Sequence, residues 1–458
     1  MRIHFDLHSH SIFAGGAGSW KRDDPTIVKK MQKRFFETAL YSPLKGTNLL
    51  GTGDCQFDIW FNFLKCHFEE ESDGVFQFKD SIPAKYKIQD LETTQPNYIL
   101  QTEVIFTGPT PNSHRKKKAH VIIFFPDFET VSEFRVLLDR LNVAHENMAR
   151  PFIVSDNVEE VSQKLHQILD LNEMVEAVPA HVLTPEGVYG SNDRINSLAE
   201  FFGTASERIH AIETGLSADP TILELIPELD RKALISNADA HSSALNRVGR
   251  EFTSVDLPNL SYSNLIRSIR NNSVVQTAEF HPAEGRYFLT GHREGRSKPA
   301  VHNKGEFCYF SPQNVPDNDI CPICQKELTV GVFQRATEIS KYQTGDEARQ
   351  WQSESKRKFV TMVPLVEILA KSMNIKSVSS KTVFKQYVEI MKQVGTEINL
   401  WTDKAINLDS NISNKIVENI EHVKNGNFYF SPLGYDGLYG DLIIGETIDF
   451  RDIDVVNS

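Results

Sequence analysis

The chain has no uncharged apolar run long enough to span a bilayer. Its opening residues, MRIHFDLHSH, lack the basic-then-apolar layout of an export signal. Together these absences lead to the expectation of a soluble, cytoplasmic protein with no membrane partner. Cysteine is scarce, with five in 458 residues: Cys55 and Cys66 lie early, while Cys308, Cys321 and Cys324 cluster late, a distribution that argues against a disulfide framework and for a metal site. An excess of positive charge is missing too. The formal net charge of -12 excludes a protein coated in basic residues, although it says nothing about local patches. Internal repeats and low-complexity segments are lacking. With 40% hydrophobic and 24% charged residues the composition is ordinary and globular, which excludes wholesale disorder.

A length of 458 residues predicts more than one domain. Over the first 280 residues or so, one pattern recurs: a short apolar run of strand type, a polar residue able to bind metal, a loop, then a helical stretch. This is α/β patterning. Strands are expected at Ile3–Leu7, Asn48–Gly51, Tyr98–Thr102, His120–Phe125, Val175–Ala180, Ile209–Ile212 and Ala233–Ser236. Amphipathic helices are expected over Phe128–Val143 and Val158–Val175, where apolar residues recur at spacings of three and four. The polar, Gly- and His-containing stretch Glu279–Gly295 sets a boundary near residue 282. Three units follow: 1–282, a small module at 283–345 organised by metal, and 346–458. The last is expected to be mainly helical, because Phe359–Met373 and Lys381–Gly395 both carry periodic apolar faces. It closes with turns around Gly434–Gly437 and a strand at Leu442–Ile444. Two basic runs, His114–Lys118 and Lys356–Lys358, read as solvated loops or as contacts to a phosphate backbone.

His8 and His10 lie two apart at the end of a strand-like run, so both imidazoles share a face. Alone, such a pair is weak evidence. Recurrence strengthens it: Asp54, Glu103, His120, His181, Asp239 and His241 all sit at the edges of apolar runs. In a barrel of parallel strands those edges converge. Mixed imidazole and carboxylate ligands suit Zn, Mn or Fe better than Ca, and two or more clustered cations suit phosphoester hydrolysis. Asp239 is also placed to orient the attacking water, and Arg247 and Arg250, just beyond it, to contact phosphate. Glu213 is expected to support the ligands from behind.

The ordered series His8-x-His10, Gly51-Thr52-Gly53-Asp54, Glu103, His120, His181 and Asp239-x-His241 resembles the polymerase and histidinol phosphatase (PHP) family across the first 280 residues. That resemblance implies an α/β fold, a distorted (βα)7 barrel with a multi-metal site. Asp54 stands where the family's turn carries a histidine, and a further histidine of many relatives has no counterpart in Ser11–Gly18. A second resemblance covers nearly the whole chain. Residues Ile235–Glu251 (ISNADAHSSALNRVGRE), Glu213–Asp219, Gly285–Thr290, Leu328–Val332 and Met362–Ile368 look like the endonuclease Q branch of that family. It implies an enzyme that recognises deaminated bases (uracil, hypoxanthine, xanthine) or abasic sites in DNA and hydrolyses the phosphodiester on the 5′ side, associated with the nucleoid. The expected cofactors are divalent cations (Zn, Mn or Mg) in the barrel and one structural zinc. The rival expectation is a PHP-type phosphatase acting on a small phosphomonoester, and a catalytically weakened DNA-binding scaffold is a third.

Cys321-Pro322-Ile323-Cys324 has the spacing of a metal knuckle, since two thiolates two residues apart can share a tetrahedral ion. Cys308 is the expected third ligand. The fourth is His292, which matches the relatives' first ligand, or His302, which is nearer to Cys308 in sequence.

Overall fold

Short runs rich in β-branched and aromatic residues form the strands of the first 280 residues, as their composition favours. In the computed structural model, residues 1–14, 24–88, 91, 94–111, 113–146, 148–295, 302–402 and 408–458 are described. Gly15–Gly18 and the side chains of His114 and Arg115 lie outside the described residues.

The strands are β1 (Arg2–Asp6), β2 (Leu49–Gly51), β3 (Phe68–Ser72), β4 (Val75–Phe78), β5 (Asn97–Thr110), β6 (Ser113–Phe125), β7 (Phe152–Val154), β8 (Glu176–Pro179), β9 (Ala211–Glu213), β10 (Ala233–Ile235), β11 (Phe252–Asp256) and β12 (Val274–Phe280). Strand β2 lies between β1 and β5 and runs parallel to both. By contrast, β5, β6 and β8 alternate in direction, and β11 is antiparallel to both β1 and β12. The sheet is therefore mixed, with helices packed around it. Strands β9 and β10 pair in parallel as a two-stranded sheet. They bridge the gap between β8 and β12: the Val182 amide donates to the Glu213 carbonyl at 3.4 Å, and the Ser236 hydroxyl to the Ala278 carbonyl at 3.1 Å. Ile3, Leu49, Ile99, Ile122, Val178, Ala211 and Ala233, from seven different strands, meet in one fully buried apolar cluster.

The expected helices form over Phe128–Arg140 and Val158–Leu169. Asp127 accepts from the Thr130 amide and Asn157 from the Glu160 amide, each satisfying a donor left free at a helix start. Two expectations need revision. The strand carrying His120 is longer than its apolar run, because β5 and β6 make a hairpin of 14 and 13 residues; the basic run His114–Lys118, expected in a loop, therefore lies within β6. The start of the apolar-periodic stretch Phe359–Met373 is not helical. Phe359–Met362 instead forms β15 after two further strands, β13 (Thr290–His292) and β14 (Phe307–Phe310), and pairs in parallel with β12; the helix begins only after Pro364, at Leu365. Val360 and Thr361 suit a strand, and Pro364 disfavours helical backbone in the residue before it.

The remaining strands are β16 (Phe428–Ser431), β17 (Asp441–Ile444) and β18 (Asp454–Asn457). Strands β16 and β17 form a hairpin, and β18 pairs with β14. One apolar cluster extends from Phe13 to Leu442, so the chain's later residues pack continuously against the earlier ones. A fully buried ion pair reinforces the junction. Lys45 Nζ lies 2.7 Å from Glu397 Oε2, and the Glu397 carboxylate also accepts from Tyr387 Oη and the Leu365 amide, both at 2.9 Å. Among the described residues no helix is long and apolar enough to cross a membrane.

Removing one charge of such a pair leaves the other buried and uncompensated. Lys45→Met is expected to cost roughly 3–5 kcal/mol in chemical denaturation, and Lys45→Met with Glu397→Gln to recover much of that loss. A single substitution costing under about 1 kcal/mol would contradict the assignment.

Candidate metal centre

Strand ends bring the predicted ligands together. His8 and His10 follow β1, Asp54 follows β2, Glu103 lies in β5, His120 in β6, His181 follows β8, and Asp239 and His241 follow β10. A parallel bridge between Ser9 and Ala240 sets the two histidine-containing motifs side by side, with the His10 amide on the Ala240 carbonyl and the Ala240 amide on the His8 carbonyl, both at 3.2 Å. Side chains two apart then share a face, so His8, His10, Asp239 and His241 converge. Arg34 clamps this crossing, donating to the Ala240 carbonyl at 2.7 Å and the His10 carbonyl at 3.3 Å.

Two groups of three result: His8, His10 and Asp239, and Glu103, His120 and His181. Within each group the potential ligand atoms lie within 4.8 Å of one another. Glu103 joins the groups. Its Oε1 is 2.6 Å from His120 Nδ1, 3.5 Å from His181 Nε2 and 3.8 Å from His8 Nε2, and its Oε2 is 3.4 Å from His10 Nε2. Asp239 Oδ1 lies 3.1 Å from His10 Nε2, 3.4 Å from His241 Nε2 and 3.6 Å from His8 Nε2. The buried His8 Nε2 finds no hydrogen-bond partner among the described residues, although it faces both carboxylates. A buried polar atom left in this state fits a cation between them. His241 stacks on His10 with ring centroids 4.3 Å apart and is half exposed.

Asp54 and Glu213 lie behind the two groups. Glu213 holds His8 Nδ1 at 3.0 and 3.1 Å, and Asp54 Oδ1 holds His10 Nδ1 at 3.2 Å while its other oxygen accepts from the Ser11 amide at 2.8 Å. Each imidazole is thereby oriented through one nitrogen and left with the other facing inward, as metal-ligating histidines require. The arrangement fits the expectation for Glu213 and gives Asp54 the same position, outside both groups of three. His181 is fixed likewise, its Nδ1 2.8 Å from Thr184 Oγ1 and its amide 2.9 Å from Glu213 Oε2.

Three residues of the centre carry strained backbone. Asp54, His181 and Asp239 have φ of 42°, 32° and 46°, the left-handed region that side chains other than glycine seldom occupy. Gly215 is needed beside them: a Cβ on it would lie 2.5 Å from the His181 Cβ.

Neighbouring charges perturb His8, His10, Glu103, Asp239 and His241. Burial opposes charge on His8 and His10, but Glu213, Asp239, Asp54 and Glu103 outweigh it and raise the imidazoles to about 10 and about 9. Glu103 and Asp239 are driven the other way. Burial would raise them, yet the facing imidazoles hold both well below the usual carboxylate range. His241 falls to about 4 through burial, with His10 adding to the effect.

A cavity of about 670 Å³ opens from the centre. Arg247 and Arg250 line it, but Arg250 is buried and its guanidinium is committed to the Ala238 carbonyl at 3.0 and 3.3 Å, so it fixes the residue before Asp239. Other lining residues come from segments without a metal-site motif. Arg150, whose Nη1 is 3.4 Å from Glu103 Oε2, follows a helix in a turn-rich segment without a motif. Arg286, Tyr287 and Tyr439 also face the cavity; the first two belong to a stretch that carried the family resemblance but gave no sign of lying near the metals.

The second cluster gathers both histidines rather than one. The potential ligand atoms of His292, His302, Cys321 and Cys324 lie within 4.8 Å of one another, with His302 Nε2 3.2 Å from Cys321 Sγ and Cys324 Sγ 3.4 Å from His292 Nδ1. Cys308 Sγ is 3.6 Å from Cys321 Sγ. Antiparallel pairing of β13 with β14 sets His292 opposite Cys308 despite the intervening residues.

No family model matches the chain. It is 26% identical over 236 residues to an uncharacterized protein of Methanocaldococcus jannaschii and 26% identical over 227 residues to an uncharacterized protein of Bacillus subtilis. These matches cover 50% and 48% of this chain but only 28% and 51% of the relatives. Two solved structures match almost end to end. One is the lesion-specific endonuclease PfuEndoQ of Pyrococcus furiosus, with TM-score 0.72, 24% identity and coverage of 97% of this chain and 96% of that one. The other is endonuclease Q in complex with a 27-mer duplex bearing an abasic lesion at the active site, with TM-score 0.73, 25% identity and 97% coverage of both chains.

Any cation entering the first centre must displace protons from His8 and His10. Because their values are raised, apparent affinity for Mn²⁺ is expected to fall with pH below about 9, by about tenfold per unit for each proton displaced. Calorimetry in buffers of different ionisation enthalpy counts the protons; an affinity independent of pH between 6 and 8 would rule this out. Glu213→Gln is expected to weaken the same binding by about 10–100-fold.

Proposed function

We propose that this chain, which has the endonuclease Q fold along nearly its whole length, is a metal-dependent DNA endonuclease that cuts the phosphodiester 5′ of a deaminated base or an abasic site. The observation that carries the proposal is the pair of ligand groups joined by Glu103 at the floor of a cavity, within a fold shared with an enzyme that holds lesion DNA at its active site. Buried apolar residues from seven strands meeting in one cluster support a distorted (βα)7 barrel of PHP type. We keep 1–282 as the catalytic unit, 283–345 as a zinc-binding module and 346–458 as a mainly helical unit that also contributes to the sheet.

The residues assigned to hold divalent cations (Zn, Mn or Mg) are His8, His10, Glu103, His120, His181, Asp239 and His241, with Asp54 and Glu213 orienting His10 and His8. Bound there, such cations supply an activated water, neutralise phosphate oxygens and stabilise the departing 3′ oxygen. Asp239, below the usual carboxylate range, accepts a hydrogen bond from the attacking water and aligns it. Arg247 and Arg150, on the cavity wall, bind the phosphate oxygens and orient the diester. Arg250 keeps Asp239 in register through the Ala238 carbonyl. Cys321, Cys324, His292 and His302 are assigned to one structural zinc, with Cys308 beside them, its sulfur 3.6 Å from that of Cys321.

A groove of about 930 Å³ adjoins the catalytic cavity and shares Arg286 and Tyr287 with it. Lys116, Lys118, Arg194 and Arg293 line it together with Glu186, Asp193, Glu327 and Asp436. Its size favours an extended polyanion over the small phosphomonoester of the rival proposal, and its cations suit backbone contacts. A DNA substrate implies a cytoplasmic, nucleoid-associated protein.

Labelled duplexes carrying one uracil, hypoxanthine or abasic site, incubated with Mg²⁺ or Mn²⁺, are expected to be cut 5′ of the lesion. Asp239→Asn should lower the rate by at least about a hundredfold without loss of fold. Intact lesion DNA beside hydrolysis of a small phosphomonoester would replace the endonuclease with a phosphatase.

A further inference from the structure

On the wall of the catalytic cavity, three side chains form a stack that the chemistry of the metal centre does not use. The Arg286 guanidinium lies over the Tyr287 ring at 5.6 Å and over the Tyr439 ring at 5.4 Å. Tyr439 is 44% exposed and lines the cavity.

The two loops that carry the stack are held firmly against one another. The Gly434 amide donates to the Ala283 carbonyl at 2.7 Å, the Gly437 amide to the Arg286 carbonyl at 2.9 Å, and the Leu289 amide to the Gly434 carbonyl at 2.9 Å. Contact is so close at Gly434 that a Cβ there would lie 2.0 Å from the Gly285 carbonyl oxygen. Asp436 extends the tie toward the cysteine cluster, accepting from Thr329 Oγ1 at 2.6 Å and from the Arg293 amide at 3.0 Å. Tyr439 is thus an exposed ring on a rigid support, and a preorganised ring gives up little conformational freedom on binding.

We propose that Tyr439, backed by Arg286, is the face on which the unpaired nucleobase stacks when its phosphodiester reaches the metal centre, which makes it a specificity-determining residue for lesions that retain a base. This rests on the endonuclease function proposed above. A base turned out of the duplex loses its stacking on both sides, and an aromatic ring beside a cavity of about 670 Å³ restores one face. Every base has a π-face, so such a ring tolerates uracil and hypoxanthine alike. An abasic site offers it nothing.

The test is single-turnover cleavage of three duplexes, carrying uracil, hypoxanthine or an abasic analogue, by wild type, Tyr439→Ala and Tyr439→Phe. Tyr439→Ala is expected to lower the ratio of base-lesion to abasic cleavage by about tenfold, within the range that base-aromatic stacking provides. Tyr439→Phe should keep the wild-type ratio, because it retains the ring. Equal loss on all three duplexes would make Tyr439 a wedge or backbone contact and overturn the inference, as would an unchanged ratio in both variants. Wild type that cuts none of the three would overturn the endonuclease proposal itself, a result distinct from either.

Discussion

The carboxylate of Glu103 is buried and faces His8, His10, His120 and His181, with Arg150 at its outer edge. A charge so far from water is tolerated only when opposite charges and hydrogen bonds surround it. Much of the surrounding structure follows from that constraint. Three strands, β1, β6 and β8, must bring four imidazoles to within about 4 Å of one residue on β5, and the mixed sheet provides the geometry. Asp54, His181 and Asp239, which are or meet these imidazoles, adopt left-handed backbone. At Asp239 the strain is held by the Ser9–Ala240 bridge, the Arg34 clamp and the Arg250 contact, which fix the residues on either side.

Behind the inner residues stands a second layer with one recurring design. Glu213 on His8, Asp54 on His10 and Thr184 on His181 each engage Nδ1, so that Nε2 of each imidazole faces inward. Because the backing groups for His8 and His10 are carboxylates, they also raise the basicity of those rings, which strengthens them as donors to a cation. The same carboxylates make the centre strongly favourable to positive charge. Protons and divalent cations therefore compete for it.

The later part of the chain is not an appendage. Strand β15 extends the main sheet beside β12, Glu397 meets Lys45 from the first long helix, and the turn after β16 lies on the segment after β12. Strand β18 returns to pair with β14, next to the cysteine cluster. These links explain why one apolar cluster runs through nearly all of the chain. They also put Arg286, Tyr287 and Tyr439 beside a site whose other residues come from the first 250.

Local sequence determined which residues could do the chemistry. His8 and His10, Asp239 and His241 sit at strand ends in a period of two, a pattern that the chain records directly. The helices at Phe128–Arg140 and Val158–Leu169 were legible for the same reason, since periodicity and an Asx cap are properties of adjacent residues. Tertiary structure decided what depends on pairing between distant segments. It set Asp54 behind His10, brought both His292 and His302 to the cysteines, turned Phe359–Met362 into a strand, and delivered Arg150 and Tyr439 to the cavity. Periodicity and spacing carry no record of such contacts, because the physical cause of each is a partner more than ten residues away: a strand edge open to pairing, a buried charge to be met, or a cavity wall to be completed.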